Sequence, residues 1–305
     1  MTPAMQSRVV KANIFLLITA MVWGTGFVAQ RSGMDYVGPM IFNAVRFAIG
    51  SLSLVPLVIW SSRRGTTLPP GTEVSKGFAI RGAMIAGAIL FLGVALQQVG
   101  LVNTTAAKGG FITGLYVVFV PFLGLIIGQR PGLGGALGAG IAAAGLFLLS
   151  VTADFTLAPG DSWVLASAIF WAIHVLVLGW LSPKMDCIKL AFGQFAFCSL
   201  LHFIAAFLTE EVTLASLQAG WFPIVYGGIM PVGVAYTLQV IAQKDAPPTH
   251  AAVILSLEAV FAALGGWVIL GESMTGRGMF GCALMLSGML VAQLWPKTQG
   301  SEETV

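Results

Sequence analysis

Residues 12–30, ANIFLLITAMVWGTGFVAQ, and residues 161–181, DSWVLASAIFWAIHVLVLGWL, are two versions of one pattern. At an offset of 148 they share Leu17/Leu165, Ala20/Ala168 and Trp23/Trp171. A helix crossing about 30 Å of hydrocarbon needs roughly 20 apolar residues, and each stretch has that length. Working outward, ten such segments are legible: 12–30, 38–60, 78–101, 107–128, 133–152, 161–181, 188–208, 218–242, 249–270 and 277–295. Turn residues and charges separate them, among them Arg63, Arg64, Pro69-Pro70-Gly71, Arg130-Pro131, Pro183-Lys184 and Lys244-Asp245. Arg8 and Lys11 ahead of the first segment resemble a signal peptide, but its counterpart deep in the chain marks it as structure.

The self-similarity continues. The third and eighth segments share Gly87/Gly227, Gly93/Gly233, Val94/Val234 and Ala95/Ala235 at an offset of 140. The fifth and tenth share Gly135/Gly278, Gly138/Gly281 and Gly145/Gly288 at 143; the second and seventh match weakly. The offset falls because the first copy has a longer connection around Arg63 to Lys76, and length differences belong in loops. Five crossings per copy turn the second copy over, which predicts an all-α integral membrane fold of two inverted five-helix repeats. The divisions are a head at 1–11, halves at 12–152 and 160–295, and a tail at 296–305, with head and tail mobile.

Composition agrees. Hydrophobic residues make up 57% of the 305, charged residues only 9%, and the mean hydropathy is +0.91. Soluble domains carry roughly 25% charged residues, so most of this surface has to face lipid. The net charge of +3 is scattered over segment ends, which suits topology signals better than nucleic-acid binding. With the N-terminus inside, eleven basic residues fall on the cytoplasmic side (Arg8, Lys11, Arg63, Arg64, Lys76, Arg81, Arg130, Lys184, Lys189, Lys244, Lys297). Arg31, Lys108 and Arg277 fall outside, so both termini are expected in the cytoplasm of a bacterial-type inner membrane. Cys187, Cys198 and Cys282 show no CxxC spacing and read as packing residues. The three histidines make no HExxH, and no GxxxxGK[ST] loop is present, so neither a metal, a cofactor nor direct ATP drive is implied.

Polar residues inside the segments are the candidate site. An ionisable group at mid-bilayer costs about 2.5–3.5 kcal/mol on insertion scales. Glu258, about ten residues into the ninth segment, either carries a proton, neutralises a cationic substrate group, or gives an interhelical hydrogen bond. Arg46 in the second segment, with Asn43 three residues earlier on the same face, either holds a substrate carboxylate or pairs with Glu258 or backbone carbonyls. Trp23 and Trp171, at equivalent places, wall a cavity from both sides or pack helices; His174 sits at i+3 from Trp171. Gln97 and Gln98, Thr113 and Tyr116, Tyr236 and Gln239, and the stripe Gln194, Cys198, His202 complete the set. Polar groups on so many segments point to a watery lumen. Gly227, Gly228, Pro231 and Gly233 are expected to loosen the eighth segment.

Several stretches carry a resemblance to the EamA-type family of the drug/metabolite transporter superfamily. They are Trp23-Gly24-Thr25-Gly26-Phe27, Arg46, Ala106-Ala107-Lys108-Gly109-Gly110, and 251–264 with Leu257-Glu258-Ala259-Val260-Phe261 inside it. Gly271-Glu272 closes the ninth segment as that family's Gly-Glu pair does. The resemblance covers about 12–295. One departure is Ala259, where the family commonly has proline, so a kink there does not carry over from the family. The resemblance implies transport of small solutes, often export of amino acids or related metabolites; without a phosphate-cradling loop, what remains is a gradient-coupled carrier, with protons as the expected coupling partner, or a passive facilitator. The alternatives are a passive channel and an integral membrane enzyme acting on lipid-linked substrates. The second would want clustered acids, histidines or a nucleophile–base pair, which the chain lacks. The sequence favours neither a monomer nor a homodimer.

Overall fold

The computed structural model describes residues 3–64, 74–104, 106–129, 132–150, 159–270 and 275–295. All regular structure among them is helical. The elements are α1 (Pro3–Gly33), α2 (Pro39–Ser53), α3 (Val55–Arg64), α4 (Lys76–Val102), α5 (Ala106–Gly114), α6 (Tyr116–Ile126), α7 (Leu133–Ser150) and α8 (Asp161–Leu181). They continue with α9 (Cys187–Thr209), α10 (Leu214–Ala219), α11 (Trp221–Gly227), a π-helical stretch (Gly228–Tyr236), α12 (Thr237–Ala242), α13 (Pro248–Leu255), α14 (Glu258–Leu270) and α15 (Gly276–Leu294). Among the described residues eight helical spans are long and apolar enough to cross a membrane. Two shorter apolar helices, Leu133–Leu148 and Gly276–Ala292, fall at the fifth and tenth segments. Gly271-Glu272, Pro69-Pro70-Gly71, Arg130-Pro131 and the tail 296–305 lie outside the described residues.

Helix starts follow the local chemistry. The Ser75 hydroxyl accepts from Phe78 N, Asp186 accepts from Ile188 N and Lys189 N, and Thr275 accepts from Gly278 N. Each satisfies a donor that the first turn leaves without a partner. Pro39 occupies the first turn of α2, whose free N–H groups at Met40 and Ile41 are taken by the Glu210 carboxylate at 2.7 and 2.9 Å.

Helix α1 begins at Pro3, within the expected head 1–11. Gln6, Arg8 and Lys11 are good helix formers, and continuing an existing helix is far easier than nucleating one. One correction concerns the ninth segment, which does break despite having alanine at position 259. Between α13 and α14 the bonds Leu257 N→Ile254 O (3.1 Å) and Ala259 N→Ser256 O (3.2 Å) span three residues rather than four. The Ser256 hydroxyl turns back onto Val253 O at 2.8 Å. The fourth segment breaks in the same way at Leu115, between α5 and α6, through Leu115 N→Ile112 O at 3.2 Å. The expected loosening of the eighth segment takes the form of the π stretch, with Pro231 inside it.

Close contacts set the helix directions. A Cβ on Gly138 would stand 2.6 Å from Gly288 O, and one on Gly145 would stand 2.6 Å from Gly281 O. Rising numbers on α7 meet falling numbers on α15, so the two run antiparallel with backbones touching. The pair α2 and α9 is antiparallel too, since Ser199 Oγ donates to Ala44 O at 2.7 Å and Ser51 Oγ to Phe192 O at 3.5 Å. The end of α4 fixes α1 against α8. Gln98 Nε2 donates to Gln30 O near the end of α1, while a Cβ on Gly100 would stand 2.7 Å from Gly160 O at the start of α8.

Candidate functional site

The two helix breaks and the π stretch converge on a narrow, constricted crevice at the middle of the bundle. Of the residues singled out from sequence, Trp23, Arg46, Gln97, Thr113, Tyr116, Trp171, Tyr236, Gln239 and Glu258 line it. They come from seven different spans, so none of these groupings exists before the chain folds.

Three rings form its wall. Trp23 and Trp171 lie 6.3 Å apart between centroids; Tyr236 is 4.5 Å from Trp23 and 5.9 Å from Trp171, nearly parallel to the latter. Their separations and tilts are those of favourable aromatic pairs. Trp23 Nε1 donates to Pro231 O at 3.2 Å, and Thr19 Oγ1, one turn earlier on α1, donates to Ala235 O at 3.0 Å. Both bonds hold α1 against the π stretch. A Cβ on Gly24 would stand 2.7 Å from Glu258 O, so α1 approaches the α13–α14 break as closely as backbones allow.

Arg46 is 1% exposed and yet faces the crevice. Its Nε donates to Asn43 Oδ1 at 2.8 Å, and Asn43 Nδ2 reaches Val94 O at 3.4 Å. The guanidinium packs over Phe42 and Phe47 at 5.4 and 5.1 Å from their centroids, cation–π contacts that supplement the single polar anchor. Among the described residues no carboxylate pairs with Arg46, so the expected Arg46–Glu258 pair is not formed. Tyr236 stands within electrostatic range of both groups.

Glu258 opens α14 beside the Tyr116 hydroxyl. Among the described residues Trp171 Nε1, Gln239 Oε1 and Gln30 Oε1 are buried in the crevice wall without a hydrogen-bond partner. Buried polar atoms are almost always satisfied, so three unsatisfied ones in the wall of one crevice mark it as a site for polar contacts. Gln97 Nε2 donates to Thr113 Oγ1 at 2.9 Å, linking α4 to α5 inside the lining.

Three sequence candidates stand apart from the crevice wall. Asn43 acts behind Arg46. His174 Nε2 and Gln194 Oε1 bond each other at 2.9 Å, fully buried between α8 and α9. His202 is tied to Cys198 O at 2.9 Å and stacked on Phe47, so the Gln194–Cys198–His202 stripe is interhelical packing. Among the described residues no group of histidine, cysteine or acid side chains is placed to hold a metal. The lining also includes Phe27, Gln30, Val175 and Leu255, which sequence reasoning missed. Phe27 and Gln30 follow Trp23 at i+4 and i+7 on one helical face, and that spacing was the available signal.

Comparison with known proteins extends the geometry. The EamA-like transporter family matches residues 10–151 and again 158–293. An uncharacterised transporter of Archaeoglobus fulgidus is 31% identical over 294 residues, covering 93% of this chain and 86% of that protein. The uncharacterised transporter YoaV of Bacillus subtilis is 19% identical, covering 92% and 96%. A crystal structure of a protein 22% identical superposes with a TM-score of 0.72 over 93% of this chain and 96% of that one, a likeness of fold. With two matches that together span most of the chain, and a crevice of buried polar groups among apolar helices, this protein belongs to the EamA-like transporter family, a family of multi-pass membrane transporters.

Proposed function

We propose that the chain is a gradient-driven secondary transporter, and that the central crevice alternately opens to each side of the membrane around a small metabolite. In this reading ten crossings form two inverted five-helix halves, 12–152 and 160–295, with both termini in the cytoplasm of a bacterial-type membrane. The observation that carries it is the pair of matched helix breaks, at Leu115 and at Leu257, seven residues beyond Lys108 and His250 respectively. Discontinuous helices at corresponding positions of two halves are where transporters of this architecture build mid-membrane sites. The antiparallel pairs α7/α15 and α2/α9 support the inversion, because each joins the same helix of both halves.

The substrate contacts proposed are Arg46 for an anionic group and Glu258 with Gln239 for a cationic or donor group. Trp23, Trp171 and Tyr236 form the wall, and Gln97, Thr113 and Tyr116 complete the polar surface. An amino acid or related metabolite carries both kinds of charge, and export is the direction proposed. Glu258 is the proposed proton carrier. Counterflow in proteoliposomes tests the carrier reading, since only a carrier is stimulated by unlabelled solute on the far side; its absence would favour a passive channel. Glu258→Gln should abolish pH-driven flux in protein that still elutes as a single folded species, and undiminished pH-driven flux would remove Glu258 from the coupling.

A further inference from the structure

Two polar contacts bridge the halves at opposite ends of the crevice, and neither belongs to the lining. At one end Lys108 Nζ, on α5, lies 3.1 Å from Asp161 Oδ2 at the start of α8, and Thr104 Oγ1 donates to Asp161 Oδ1 at 2.6 Å. Asp161 is 2% exposed and Lys108 28%, so the pair sits in the wall of the mouth. At the other end His250 Nε2, on α13, donates to Asn13 Oδ1 on α1 at 3.2 Å.

The two contacts are images of each other. Asn13 and Asp161 are separated by 148 residues, as Trp23 and Trp171 are, and each lies ten residues before its tryptophan. Lys108 and His250 each lie seven residues before a helix break, at Leu115 and Leu257. In each contact one partner comes from each half, with the halves' roles exchanged. They occupy opposite faces of the bundle. Gln30, at the far end of α1 from Asn13, meets Gln98 on the same end of α4 that abuts Gly160 beside Asp161. Pro248, at the start of α13, packs against Gly179 near the far end of α8 from Asp161. Ten residues of helix place each contact about 15 Å from the tryptophans along the axis.

We propose that Lys108–Asp161 and Asn13–His250 are the two gates of the crevice, latches at symmetry-equivalent positions that open one at a time. The assignment rests on the alternating-access reading above. When the halves rock, the mouth that widens must separate α5 from α8 or α13 from α1, and these are polar contacts across those helix pairs, added to their apolar packing. The latches differ chemically: one is a charge pair reinforced by a hydroxyl, the other an imidazole–amide hydrogen bond. The mouth held by ions is therefore the more firmly shut.

The test reads access directly. A cysteine-free chain (Cys187, Cys198 and Cys282 replaced by alanine) carries Val175→Cys in the crevice and is reacted with a membrane-impermeant maleimide in intact cells and in inverted vesicles. Asp161→Asn should raise labelling from the Asp161 face about three- to tenfold and lower it from the other face. His250→Ala should do the opposite. Asn13→Asp, which adds charge to the second latch, should lower labelling from the Asn13 face. The exchange Lys108→Asp with Asp161→Lys should return labelling to the parent level, which a folding defect would not. If the reporter is labelled from both faces but Asp161→Asn and His250→Ala leave the rates unchanged or shift them alike, the latches are refuted and the carrier reading stands. If it is labelled from one face only, or from neither, in every variant, alternating access falls and the latches with it.

Discussion

Trp23 Nε1 donates a 3.2 Å hydrogen bond to the carbonyl of Pro231, so a side chain of the first helix is fastened to the backbone of the π-helical stretch. Proline has no N–H for the helical ladder, and widened turns leave carbonyls that a side chain can reach. Trp23→Phe keeps an aromatic ring while deleting the donor and part of the indole's volume. The expected loss is about 1 kcal/mol of stability, read as a lower Tm in detergent, together with slower transport. An unchanged Tm and rate would show the bond to be idle.

Arg46 owes its direction to Asn43. Asn43→Ala removes the only hydrogen bond described for the guanidinium, while Arg46→Lys keeps the charge but not the fork. Each should raise the KM for an anionic substrate about tenfold with a smaller change in kcat, since a hydrogen bond to a charged group contributes about 1.5–3 kcal/mol. Transport kinetics across a panel of charged and neutral solutes decides it; equal effects on both kinds would remove Arg46 from recognition.

Helices α7 and α15 touch through glycine. Gly138→Val drives a side chain into the backbone of Gly288 and should destabilise the protein by about 1–3 kcal/mol. Gly140→Val, two residues on, meets nothing within 4 Å and should leave the Tm where it was. Thermal unfolding of the two variants side by side is the measurement, and equal Tm values would contradict the packing described.

His174 Nε2 and Gln194 Oε1 share a hydrogen bond in a buried place between α8 and α9. Gln194→Leu strands the imidazole and should lower stability by about 1–3 kcal/mol while the KM stays within twofold. A large KM change with an unchanged Tm would instead assign the pair to substrate.

Much of this protein was legible before folding. The need to bury or lipid-shield long apolar stretches follows from composition alone, and the repeat of Trp23 in Trp171 and of Gly138 in Gly281 is written in the order of residues. Rarity also flagged Glu258 and Arg46, because charge inside such stretches is expensive wherever the helix ends up. What the order of residues does not contain is which polar groups meet. Gln194 reads as a lumen residue but pairs with His174, while Gln30 goes unremarked on a helix end and faces the crevice. The break at Leu257 comes without the proline that would announce it, beside a Ser256 hydroxyl turned back onto the Val253 carbonyl. Apolar content and periodicity are one-dimensional properties, summed along the chain. Partnership between side chains hundreds of residues apart depends on helix rotation and approach, and packing in three dimensions alone sets those.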